Sequence, residues 1–163
     1  SQLLTGKLEK TNQCYAIAKI AGLKLCEALY EDFKLNIICL MPTNVYGFND
    51  NFNKTNGHVI PAIITKIGEA LKKNKKKVSL LGTGKPLREF IHAEDLASAI
   101  YFCLNIKKSL IVKKFKSKLP ILNVGSNDEI SIKHLAYLIA KYINRSIEKK
   151  FFFLQIIFLL TYL

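Results

Sequence analysis

Tyr15 and Lys19, in the run Tyr15-Ala16-Ile17-Ala18-Lys19, are the side chains best suited by type and spacing to do chemistry. Four residues apart on a helix, they lie on one face, one turn from each other. A phenol ordinarily ionises near ~10. An ammonium beside it favours the phenolate and lowers that value. A tyrosine tuned in this way donates a proton to a carbonyl oxygen as hydride arrives at the carbon, or takes one back. The spacing alone is not diagnostic, since Y-x-x-x-K arises by chance in many helices. Metal chemistry finds no support: Cys14, Cys26, Cys39 and Cys103 form no C-x-x-C pair and match no zinc spacing. The last three sit in apolar runs and read as small core residues. Gly82-Thr83-Gly84 is not a phosphate loop, because no G-x-G-x-x-G follows it.

The elements that must hold the pair follow from hydrophobic patterning. A helix is predicted from about Asn12 to Phe33, small-sided at Ala16, Ala18, Ala21 and Gly22 and so suited to close packing. Residues 36–41 read as a buried strand closed by Pro42, an apolar run that suits a parallel sheet covered on both faces. The Asn-rich residues 43–57 read as a loop. Further helices are predicted over about Ile60–Lys73, Glu94–Leu104 and Ile132–Ile143. Glu94 and Asp95 favour the first turn of the second, and Ser131 can cap the third. Val78–Leu81 reads as a short strand, Ile121–Val124 as another buried strand ended by Gly125, and residues 82–86 as a turn. Residues 107–118, with six lysines, read as an exposed connection. The tail Phe151–Leu163 has no charge, no turn residue and no clear amphipathic period. Its 13 residues fall short of the roughly 20 that span a bilayer. A buried or disordered end, or a coding accident such as a frameshift, is expected there. The alternation of strands and helices argues for an α/β architecture.

Composition narrows the classes. The 163 residues allow one domain of ordinary size, and half of them are apolar. The formal net charge is +13, carried almost wholly by lysine; the only arginines are Arg88 and Arg145. Nucleic-acid readers lean on arginine forks, so a solvated lysine-rich surface is expected rather than a nucleic-acid site. A reducing, cytoplasmic setting fits the cysteine usage, and no membrane association is expected.

A series of segments makes the Tyr15/Lys19 pair specific. It runs Tyr15-Ala-Ile-Ala-Lys19-Ile-Ala-Gly-Leu-Lys-Leu-Cys-Glu27, Met41-Pro42-Thr43-Asn44-Val45-Tyr46-Gly47, Asn49-Asp50-Asn51-Phe52, His58-Val59-Ile60-Pro61-Ala62, and Pro86-Leu87-Arg88-Glu89-Phe90. In this order the segments closely resemble the GDP-L-fucose synthase family of extended short-chain dehydrogenases, from about Leu3 to Ile143. The resemblance implies the C-terminal part of a Rossmann-like doubly wound parallel sheet plus part of a smaller α/β substrate-binding domain. Residues 1–47 would be the remainder of the dinucleotide-binding domain. Residues 48–143 would be mainly substrate-binding, and 144–163 an atypical apolar tail.

The implied reaction epimerises GDP-4-keto-6-deoxy-D-mannose at C3 and C5, then reduces its C4 ketone with NADPH. Tyr15 matches the proton donor to the C4 oxygen. Lys19 matches the residue that tunes it and binds the nicotinamide ribose. Pro42, Thr43, Asn44 and Val45 match the segment lining the nicotinamide, as expected beyond the carboxyl end of a strand. His58 matches the acid of the epimerisation and also falls in the cofactor-side set; without its flanking motif it would read as a surface histidine. Arg88 resembles the arginine on the GDP diphosphate, where its planar fork suits phosphate oxygens; an ion pair with Glu89 or Asp95 is the structural alternative. Lys66 stands where many relatives carry a substrate-binding arginine. His92 and Asp95 fit packing and helix-start roles. A homodimer is implied, with the tyrosine-bearing helix at the interface.

The departures matter as well. The family's glycine-rich fingerprint, its catalytic serine and the cysteine that works opposite the histidine all lie upstream of the tyrosine. Cys14, directly before Tyr15, is not that cysteine. The expectation is therefore a C-terminal fragment, inactive by itself and poorly soluble because of an exposed sheet edge. A hexose 4-epimerase or 4,6-dehydratase is the enzyme alternative, and a non-catalytic lysine-rich binding fragment the other.

Overall fold

The computed structural model describes residues 5–53, 57–115, 118–146 and 155–159. The backbone divides into two compact units, one of residues 1–41 and 99–123, the other of residues 42–98 and 124–163.

The first unit is dominated by helix α1, Gln13–Phe33. Its end is set by Lys34, which takes a left-handed conformation (φ 54°) and donates from Nζ to the Glu31 carbonyl at 2.7 Å. An open carbonyl of the last turn is thereby satisfied. No residue of α1 is buried. Ile17, Leu25 and Phe33 are exposed, and a Cβ added at Gly22 would meet nothing. The close packing expected of its small residues is thus not made among the described residues. Strand β1, Cys39–Pro42, pairs with a later strand, Ile121–Val124. The bonds Cys39 N–H to Pro120 O (2.8 Å) and Thr43 N–H to Val124 O (3.0 Å) advance in the same direction on both strands, so the pairing is parallel.

The second unit holds the best-packed core. Helix α2, Val59–Lys72, buries Pro61, Ile63, Ile67 and Ala70, a helical stripe. The last three pack with Val78 and Leu80 of strand β3, Lys77–Leu81, and with Leu135, Ala136 and Ala140 of the helix Ile132–Ser146. A three-stranded sheet forms beside them from β2, Asn44–Tyr46, β4, Leu87–His92, and a short strand at Glu129–Ser131. β2 runs parallel to β4, whose other edge pairs antiparallel. Gly82 and Gly84 take positive φ (87° and 71°) in the turn between β3 and β4. There the Gly84 and Pro86 carbonyls accept from Lys133 and Ile132 N–H. The Gly-Thr-Gly turn therefore anchors a helix start. Ser131 Oγ accepts from His134 N–H at 3.2 Å, the cap its position implies.

In chain order the remaining elements are α3, Ala93–Asn105, α4, Lys108–Phe115, β5, Ile121–Val124, β6, Glu129–Ser131, α5, Ile132–Ser146, and β7, Gln155–Leu159. Several expectations need correction. The segment 107–118 is not a bare connection: α4 occupies most of it and buries Ile111. The loop 43–57 contains β2. β4 and β6 were not anticipated. Within the tail, β7 pairs parallel with β3 in register Lys77↔Gln155 to Leu81↔Leu159. The rest of the tail, 151–154 and 160–163, lies outside the described residues. Among the described residues no helix is long and apolar enough to cross a membrane.

Candidate active site

Tyr15 and Lys19 share one face of α1, as their spacing requires. The Lys19 ammonium lies 5.4 Å from the Tyr15 ring centroid, over the aromatic face. Tyr15 is 66% exposed, so its hydroxyl is open to a reacting group. Lower on the same helix, Cys26 faces Cys39 of β1. Burial, then the charge and hydrogen bond of the Cys26 thiol, push Cys39 up to about 11, so both read as structural thiols.

The segment 42–45 follows from β1 into β2. Thr43 is held through its N–H on Val124 O. Its Oγ1 is buried and has no hydrogen-bond partner among the described residues. The Asn44 side chain is already engaged, its Nδ2 donating to the Glu89 carbonyl at 2.8 Å. Val45 pairs with Ile91 across β2 and β4. Tyr46 stacks edge-on against His92, centroids 5.3 Å apart.

His58 is the N-cap residue of α2, and its carbonyl accepts from Ala62 N–H at 2.9 Å. Its ring Nδ1 stands 2.7 Å from Asp50 Oδ1. The imidazole is largely exposed while the Asp50 side chain is only 10% exposed. The loop that carries Asp50 is fixed locally. Asp50 Oδ1 accepts from Asn51 N–H at 2.6 Å, Asn51 Oδ1 from Asn53 N–H at 3.0 Å, and the Phe52 carbonyl from Thr65 Oγ1 at 3.1 Å. The last bond ties the loop to α2.

Lys66 lies eight residues further along α2 and lines an open depression of about 320 Å³ with Glu69, Lys73, Lys75 and Lys77. Arg88 is exposed on β4, and its Nη1 donates to the adjacent Leu87 carbonyl at 2.7 Å. The alternative ion pair with Glu89 or Asp95 is not formed among the described residues. Glu89 instead accepts from Asn127 N–H at 2.7 Å through Oε1. His92 Nδ1 accepts from Glu94 N–H at 3.4 Å, which bears out its helix-start role. Among the described residues no group of three or more His, Cys, Asp or Glu could hold a metal ion.

Residues 1–125 match the family described as NAD dependent epimerase/dehydratase family. The chain belongs to that family. It is 45% identical over 139 residues to a probable GDP-L-fucose synthase 1 of Oryza sativa subsp. japonica, covering 85% of this chain and 40% of the relative. It is 42% identical over 141 residues to the GDP-L-fucose synthase of Escherichia coli strain K12, covering 86% and 44%. Among solved structures, a GDP-D-glycero-L-gluco-heptose synthase from Campylobacter jejuni, determined in the presence of NADPH, is similar with a TM-score of 0.78 and 30% identity. That match covers 98% of this chain and 54% of the other. The chain thus spans less than half the length of these curated relatives.

Membership in the epimerase/dehydratase family accords with the α/β, partly parallel, Rossmann-like architecture. Tyr15 and Lys19 belong to the first unit; Pro42, Thr43, Asn44, Val45, His58, Lys66 and Arg88 belong to the second. Sequence reasoning named Thr43 through the resemblance alone and did not single out Asp50. Each has a buried oxygen without a partner among the described residues, Asp50 Oδ2 and Thr43 Oγ1. The signal for Asp50 was faint: one carboxylate in a run of asparagines, eight residues before a histidine. For a dinucleotide, the buried Thr43 hydroxyl at the carboxyl end of β1 is the observation that fits. An unsatisfied buried polar atom at a strand end suits a polar ligand.

Proposed function

We propose that this chain supplies the proton-transfer and substrate-holding residues of an NADP(H)-dependent nucleotide-sugar enzyme that converts GDP-4-keto-6-deoxy-D-mannose to GDP-L-fucose. The observation that carries the reading is the Tyr15/Lys19 pair: an exposed phenol with an ammonium against its ring on one helix face. Tyr15 gives its hydroxyl proton to the C4 oxygen as the ketone becomes an alcohol. Lys19 keeps positive charge beside the phenol and reaches the nicotinamide ribose. Pro42, Thr43, Asn44 and Val45 hold the nicotinamide end, and NADPH supplies hydride when bound. His58 moves protons at C3 and C5, where the neighbouring ketone acidifies the C–H bonds. Arg88 binds the diphosphate through its fork, and Lys66 adds a charge on the substrate side.

Residues 1–47 form the dinucleotide-binding portion in this reading, and 48–143 the substrate-binding portion. The working form is a homodimer in the cytoplasm. The similarity to a heptose synthase favours one second reading, a C4 reduction or epimerisation of another GDP-linked sugar.

The test incubates a longer form that also carries the family's upstream serine and cysteine with GDP-4-keto-6-deoxy-D-mannose in D2O and follows deuterium at C3 and C5 by NMR. Exchange above the protein-free rate is expected, and His58→Ala removes it. Exchange equal to the protein-free control defeats the reading.

A further inference from the structure

We infer that Asp50 is a positioning residue that fixes the tautomer and orientation of the His58 imidazole. The inference rests on the proposed proton-transfer role of His58 and deepens it. An ionised carboxylate only accepts hydrogen bonds. With Asp50 Oδ1 at 2.7 Å from Nδ1, the proton of the neutral ring must therefore sit on Nδ1. Nε2 is then left to face the substrate, with the lone pair of a base in the neutral ring or the proton of an acid in the imidazolium. Histidines held for proton transfer are set by the bond that the other ring nitrogen makes.

The burial pattern agrees with this division. The imidazole is 71% exposed while its carboxylate is 10% exposed. The group that would meet substrate is open and the group that orients it is enclosed. Asp50 Oδ1 carries both the His58 contact and the Asn51 N–H bond, while Oδ2 is buried with no partner among the described residues. A buried oxygen with no donor is costly unless the charge has a use. The contact the structure shows for this carboxylate is the His58 ring, a cation when it is protonated. In the transfer itself the Nε2–H bond breaks and a C–H bond forms at the enolate carbon. The N–H electron pair returns to Nε2, the enolate charge is discharged, and His58 is left as the neutral Nδ1–H form that Asp50 already holds. Both ends of the device are anchored. His58 begins α2, which is packed through Pro61, Ile63 and Ile67, and the Asp50 loop is bound to the same helix by Thr65.

The test uses the whole chain with 15N-labelled histidine, read by long-range nitrogen–proton NMR with the imidazoles neutral. The other two histidines, His92 and His134, serve as internal references. The wild-type His58 signal is expected as a single Nδ1–H form. In Asp50→Ala it moves to the mixed tautomers of a free imidazole, while the other two signals stay in place. In the longer form the deuterium exchange at C3 and C5 is expected to fall about tenfold, less than the ~10²–10⁴-fold that the positioned acid itself contributes. An Nε2–H signal in the wild type, or an unchanged tautomer in Asp50→Ala, overturns the inference. If the variant disturbs all three histidines by unfolding, the wild-type tautomer decides alone. Absent exchange with the expected tautomer would count against the proposed function and leave the Asp50 assignment standing.

Discussion

Replacing Ile67 by alanine probes the part of the fold that carries His58. Ile67 is fully buried, in contact with the side chains that join α2 to β3 and α5. The substitution removes three carbons, which at about 0.8 kcal/mol each amounts to roughly 2.4 kcal/mol of lost transfer energy. The neighbours Ile63, Val78 and Leu135 come from three different elements, which cannot collapse together onto the vacated space. A residual cavity therefore adds to the loss, and the expected total is ~3–4 kcal/mol, inside the usual range for such truncations. Against a typical total of ~5–15 kcal/mol this is a large fraction. Urea unfolding followed by circular dichroism should show a lower midpoint at unchanged slope. Ile67→Val should lose only ~1 kcal/mol, and Ile100→Ala, at a 43% exposed site on α3, still less. A loss below ~1 kcal/mol for Ile67→Ala would refute the packing of α2 on α5 and β3, and with it the rigid mounting of His58.

Gly57→Ala should destabilise by ~2 kcal/mol, measured by urea titration, because an added Cβ would run into the Asn53 and Asn51 carbonyl oxygens, backbone atoms that cannot swing aside. Gly125→Ala should cost less, since the obstacle is chiefly the Glu89 carboxylate; the Asn127 amide shift reports whether its bond to Glu89 survives. Tyr15→Phe should leave the thermal midpoint unchanged, because the side chain is mostly exposed, while abolishing ketone reduction in any longer form that reduces the sugar. Cys39 is held up to about 11 by burial and by Cys26, so alkylation near the ordinary thiol value of about 8.5 should modify exposed Cys14 first. The raised value also means that the folded state binds this proton more tightly than the unfolded chain. Its stabilising contribution is full below the unfolded thiol value and fades as pH climbs towards about 11. A midpoint that rose with pH across that window would contradict the assignment.

What was legible in the sequence was whatever local pattern controls. The stripe of Ile63, Ile67 and Ala70 announced α2 almost to the residue, and Ile121–Val124 emerged with the expected bounds, though as a half-exposed strand rather than a buried one. β4 was hidden because Arg88 and Glu89 interrupt its apolar pattern, one exposed and the other engaged with Asn127. α4 was hidden because its lysines look like a solvated run, though a single apolar face around Ile111 is enough to seat it. The candidate site divides in the same way. Tyr15, Lys19 and His58 were visible through motifs of fixed spacing. Asp50 took its meaning only from a 2.7 Å contact made by the fold of a loop, and no spacing rule encodes that. The small residues of α1 pointed to a close partner that the described residues do not provide.

The parallel pairing of β3 with β7 sets an order of events in folding. Lys77 must wait for Gln155, a strand synthesised long after it. Closing so long an intervening chain carries an entropic cost that local helices do not bear. The hairpin-like contacts of α2 with β3 can form early, leaving one edge of β3 bare in the interval. An apolar edge held open during synthesis is where neighbouring copies pair wrongly. The yield of this protein should therefore depend on how quickly residues 155–159 reach their place, and slower or colder expression should favour the native pairing.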